Sequence, residues 1–143
     1  MLMYQVMLFL HIIGALALGF YLVLPFVLGR IGKLSLPAQE GTVSAVISLN
    51  RYAQIGLIIQ LLTGGYLIGQ GDYSVPWMIV IVILYLAIGA FSGILAKPLR
   101  LAQEGIRQNK TVTAEEGKLR TLSALLSVTV LLISFFMVFS TII

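Results

Sequence analysis

The sequence contains no cysteine, which excludes disulfides, thiolate metal ligands and cysteine nucleophiles. Charge is scarce: 10% of the residues are charged, where soluble domains carry about a quarter. The acidic residues are Glu40, Asp72, Glu104, Glu115 and Glu116. None lies inside a long apolar run, so a carboxylate relay for protons or cations within a membrane has nothing to run on. No glycine-rich phosphate loop, hydrolytic triad or metal-spaced carboxylate cluster is present. Histidine occurs once, as His11, and tryptophan once, as Trp77.

What fills the chain instead is apolar side chain, 59% of the total, with mean hydropathy +1.06. These values lie outside the range of soluble domains and within that of polytopic membrane proteins. About 18 apolar residues suffice for a helix to cross the ~30 Å hydrocarbon core. The 143 residues accommodate four such helices and short loops as one membrane domain. The spans are expected at about 3–29, 52–69, 77–96 and 122–143. The fold expected is all-α, an antiparallel four-transmembrane-helix bundle. The first run lacks a basic n-region, exceeds the usual apolar length of a signal peptide by about twofold, and meets no small-residue cleavage motif before Arg30; it reads as a retained span.

Local signals place the connections. Ser35-Leu36-Pro37 starts a helix whose mildly polar beginning, from Ala38 to Asn50, leads into span two. Gln70 to Pro76 is a turn-rich connector. Lys97-Pro98 marks the membrane end of span three, with the helix able to continue to Gln108. Thr113-Ala114-Glu115-Glu116 has the form of a capping box opening the fourth helix.

The net charge of +4 and pI near 9.6 reflect topology rather than nucleic-acid binding. Arg30, Lys33 and Arg51 flank the first connection, and Lys97, Arg100, Arg107, Lys110, Lys118 and Arg120 the third; the second offers only Asp72. The positive-inside rule then places connections one and three in the cytoplasm and both termini outside, with Tyr4, Tyr73 and Trp77 at the outer interface. Beyond the bilayer, the expected contacts are helix to helix at small residues. Gly65 and Gly69 of span two and Gly89 and Gly93 of span three form GxxxG pairs. Packing inside the bundle is one use for them; a homo-oligomer or a membrane partner is the other.

An ionisable group inside an apolar run is costly and marks a functional site by default; here that group is His11. Met3 and Met7 precede it at helical spacing. At 1.5 Å per residue, His11 lies ~12 Å below the outer start of its helix, Tyr85 ~12 Å from Trp77 and Met137 ~9 Å from the end of span four, with Gln60 near the middle of the bilayer. Imidazole and thioether are ligands for haem iron and for Cu(I). Gln60 or Tyr85 would serve to fix the imidazole tautomer. The alternative is a buried histidine hydrogen-bonded to Tyr85, Gln60 or a backbone carbonyl, with the methionines packing. Arg51, at the basic end of span two, either snorkels to lipid phosphates or binds a propionate or another anion.

His11-Ile12-Ile13-Gly14 followed by Gly19 to Phe26 (GFYLVLPF) resembles the first helix of a group of small bacterial membrane proteins. The group includes the HemJ-type protoporphyrinogen oxidases, the CopD copper-resistance proteins and an uncharacterised family of predicted integral membrane proteins. The Arg51 region, Leu61 to Gly65 and Pro76-Trp77 look most like the uncharacterised family. The resemblance implies a multi-pass protein of the bacterial cytoplasmic membrane whose first-helix histidine, His11, ligates haem b. HemJ-type enzymes also use a lysine early in the third helix; here Met78 to Tyr85 holds none, and no second histidine or cysteine supports copper transport. Two functional expectations follow: a protein that binds haem b or a soft metal ion at His11 in a redox or cofactor-handling role, or a non-catalytic membrane assembly module without a cofactor.

Overall fold

The computed structural model describes residues 2–110 and 113–142, the side chains of residues 113 and 114 excepted. Its helices are α1 (Leu2–Leu18), α2 (Phe20–Gly29), α3 (Leu36–Gly69), α4 (Val75–Arg107) and α5 (Thr113–Val138), with a short 3-10 turn at Ile31–Lys33. No strand occurs among the described residues. The stretches Leu2–Lys33, Leu36–Gly69, Val75–Arg107 and Glu115–Val138 are each long and apolar enough to cross a membrane. The protein is therefore a multi-pass, all-α four-helix bundle with an apolar exterior suited to lipid.

The helices start where their sequences supply caps. The Ser35 hydroxyl accepts from the Ala38 N–H at 3.4 Å and the Ser74 hydroxyl from the Trp77 N–H at 3.2 Å. Each of these serines is followed two residues on by a proline, where the missing N–H costs nothing because a first-turn donor is unpaired anyway. The capping box expected at Thr113 rests on side chains outside the described residues. Its Glu116 pairs with Arg120 at 3.0 Å one turn on.

At 34 and 33 residues, α3 and α4 run ~50 Å each, well beyond the hydrocarbon thickness. Their excess emerges at the basic end, where Arg107 pairs with Glu40 at 3.2 Å and the Gln103 amide donates to the Ser44 hydroxyl at 2.8 Å. The helix of span three passes through Pro98 without a break. The Leu61 to Gly65 segment is regular helix inside α3, as its place in span two requires. The fourth helix ends at Val138 instead of continuing to the end of the chain.

Span one is not a single rod. Around Gly19 the hydrogen bonds tighten to i→i−3, Gly19 N–H to Leu16 O at 3.1 Å and Leu22 N–H to Gly19 O at 3.0 Å. A Cβ at Gly19 would sit 3.1 Å from the Leu16 carbonyl oxygen, so the tightened turn favours a residue without a side chain. The break changes the neighbour: α1 packs mainly on α3, whereas α2 packs mainly on α5. The ring is completed by α3 on α4 and α4 on α5.

The buried core lies toward the basic half. Tyr21, Leu24, Leu28, Leu95, Leu99 and Leu119 are among its fully enclosed members, held with Val43, Val46 and Ile106 in one cluster. On α1 only Gly14 and Leu18 are buried. At the opposite end Trp77 is 2% exposed and donates its indole N–H to the Phe136 carbonyl at 2.6 Å, with Tyr73 stacked on it at 4.6 Å. The tryptophan expected at the outer interface thus turns its ring inward and ties span three to span four.

Candidate functional site: the histidine of span one

The seam between α1 and α3 is built from antiparallel layers of small and polar residues. At Gly56 an added Cβ would lie 3.0 Å from the Ala17 side chain and 3.3 Å from the Gly14 carbonyl oxygen. One layer further, Gly14 faces Gln60, whose amide oxygen would be 2.5 Å from a Cβ there. The next layer pairs His11 Nδ1 with the Thr63 hydroxyl at 2.9 Å. Gly64 closes the layer, 3.5 Å from the imidazole Cε1 when given a Cβ. Absence of side chains at 14 and 56 lets the two backbones come close, and that closeness brings His11 to Thr63.

The hydrogen-bond directions in this layer follow from proton counting. A threonine hydroxyl has one proton and two lone pairs. Thr63 donates its proton to the Ile59 carbonyl at 2.7 Å, so toward His11 it accepts. The imidazole proton is then on Nδ1, and Nε2 carries the lone pair. Thr63 at Nδ1 is the hydrogen-bond partner of the ring among the described residues, with none at Nε2, and His11 as a whole is half-buried. One turn away, the Gln60 Oε1 is buried without a donor, an uncommon state for a buried polar atom.

The other residues singled out from sequence divide. Met7 is half-buried one turn above His11 on the same face. Tyr85 donates to the Leu57 carbonyl at 2.7 Å and serves the packing of α4 on α3, not the imidazole. Gln60 lines the seam but does not bond His11. Met3 and Met137 are 56% and 39% exposed, so they do not converge on the histidine. Arg51 is exposed on α3, away from the seam.

Two polar features escaped the sequence reading. Thr63, not Gln60 or Tyr85, partners the imidazole; its signal was the 3,4,3 spacing Ala53, Gly56, Gln60, Thr63, one stripe of α3 rich in small residues. The second is Asn50, the neighbour of Arg51. Its Oδ1 accepts from the Tyr21 hydroxyl at 2.6 Å, and its amide donates to the Ser92 carbonyl at 3.1 Å. Tyr21, Asn50 and Ser92 are all buried, and the trio joins spans one, two and three.

No group of three or more histidine, cysteine, aspartate or glutamate side chains able to hold a metal ion occurs among the described residues. Comparison with protein-family models, curated proteins and solved structures finds no match for this chain.

Proposed function

We propose that the protein is a cofactor-binding membrane protein in which His11, through Nε2, would hold a haem b. One observation carries the reading: Thr63 holds the proton on Nδ1 and leaves the ligating nitrogen without a competing partner. Metal-binding histidines are oriented by just such a bond at the other ring nitrogen. The scarcity of further ligands favours haem over a bare ion. A porphyrin brings four nitrogens with it and asks the protein for one or two, whereas a protein-built cage needs three or four.

Met7 borders the same seam and is suited to contact the macrocycle, whereas the unpaired Gln60 oxygen is sealed between α1 and α3. A haem bound at this site would accept and release one electron at a time. The role of the chain's own residues is to bind it, fix the imidazole and keep the surroundings apolar. The sequence resemblance to small bacterial membrane proteins with a first-helix histidine supports the same reading, with the protein in the cytoplasmic membrane, its basic end facing the cytoplasm and its termini outside.

The test is haem content per chain in protein purified from haem-replete cells. Wild type is expected to retain haem, His11→Gly to lose it, and added imidazole to restore binding in His11→Gly. Equal haem content in wild type and His11→Gly would overturn the assignment.

A second reading rests on the GxxxG pairs. A Cβ added at Gly65, Gly69, Gly89 or Gly93 meets nothing within 4 Å, so these faces are not used inside the bundle and are open to a second copy or a partner helix. Crosslinking in membranes that yields a homo-oligomer, lost in Gly65→Leu/Gly69→Leu, with no cofactor in the wild type, would favour an assembly module.

A further inference from the structure

We infer that the groove between spans three and four at the basic end is a binding site for one monoanionic phospholipid. The groove encloses about 500 Å³ and is walled by Pro98, Leu101 and Leu122, with Lys97, Lys118 and Glu115 along it. Ile94, one turn toward the bilayer from Lys97, also lines the groove and is 56% exposed, so the apolar wall opens sideways toward acyl chains. Gly117 lines the groove without adding a side chain to it, and a Cβ there would meet nothing within 4 Å.

Charge selects the occupant. Arg107 and Arg120 at this end are engaged by Glu40 and Glu116, whereas Lys97 and Lys118 form no ion pair within 4.0 Å among the described residues. Two ammonium groups against the one carboxylate of Glu115 leave a formal excess of one positive charge, which a single phosphodiester neutralises. The ammonium of a zwitterionic headgroup would instead be pushed away by the lysines. Position agrees, since Lys97 directly follows the apolar run of span three, at the depth where headgroup phosphates lie and basic pockets between helices take anionic lipid. The proposal is independent of any cofactor at His11, which lies in the opposite half.

Native mass spectrometry of the detergent-purified full chain, with phosphatidylglycerol or phosphatidylethanolamine added, tests it. One phosphatidylglycerol is expected to stay bound to wild type. Each basic side chain near an anionic lipid is worth roughly fivefold, so K97Q/K118Q should lower its affinity about thirtyfold. K97R/K118R should keep it, and R100Q/K110Q, which removes the same charge outside the groove, should change it less than about threefold. Inorganic phosphate at tens of millimolar should not displace the lipid. Equal losses in K97Q/K118Q and R100Q/K110Q, equal retention of the two lipids by wild type, or full displacement by phosphate would each overturn the proposal. If K97Q/K118Q does not fold, the headgroup preference and the K97R/K118R and R100Q/K110Q results decide.

Discussion

The hydroxyl proton of Thr63 goes to the Ile59 carbonyl, and that small fact decides the tautomer of a histidine on another helix. Thr63→Val removes the acceptor at nearly constant volume and leaves the imidazole without its anchor. Loss of such a supporting bond typically lowers metal affinity 10–100-fold, so Thr63→Val should weaken haem retention by about that factor while Thr63→Ser keeps it; a haem titration monitored by absorbance checks both. The Tyr21–Asn50–Ser92 trio has a structural part. Tyr21→Phe removes one hydrogen bond, and such bonds between membrane helices average about 0.6 kcal/mol. Asn50→Leu leaves the buried Tyr21 hydroxyl without its acceptor and should cost about 1–3 kcal/mol, both measured by reversible unfolding in mixed micelles.

A lone histidine in a charge-free run was visible in the sequence, and so was the helix that carries it. Its partner was not, because several polar residues occur at similar depths on neighbouring helices and only the rotation of α3 chooses among them. Asn50 and Arg51 show the same limit: adjacent in sequence, they point to opposite environments, one sealed among three helices and the other exposed.

At the scale of the helix, glycines separate into two kinds that the GxxxG pattern alone does not distinguish. Gly14 and Gly56 sit where α1 and α3 nearly touch, although neither belongs to a GxxxG pair with the other; Gly65, Gly69, Gly89 and Gly93 face open space. Packing inside the bundle is one of the two uses the sequence offers for the latter four, and the intramolecular contacts fall elsewhere. Gly56→Leu should therefore destabilise the protein by about 1–3 kcal/mol through overpacking against Ala17. Gly65→Leu should stay within about 0.5 kcal/mol in a detergent-solubilised monomer. The same unfolding assay compares them, and equal costs would contradict the packing described for the first seam. The break at Gly19 belongs to this scale too: one tightened turn lets span one lean on span two in one half and on span four in the other.

For the whole molecule, the all-α bundle and its four spans were legible because hydropathy alone sets them. The overhang of α3 and α4 at the basic end was only partly legible, since a polar helix and a polar loop there look alike until Arg107 and Glu40 are seen to meet. That end is proposed to face the cytoplasm. The absence of native cysteine makes the test clean: single cysteines at Ser35 or Lys110 should resist a membrane-impermeant maleimide in intact cells, and one at Gly71 should react. The reverse pattern would invert the orientation.

The central claim is that His11 is held as a ligand rather than as a packing residue, and it is tested most directly by one absorption spectrum. Wild-type protein purified in detergent from haem-replete cells should show a Soret band that shifts on reduction and is absent from His11→Ala folded to the same helical content. A colourless wild-type protein, or a band of equal intensity in His11→Ala, would contradict it.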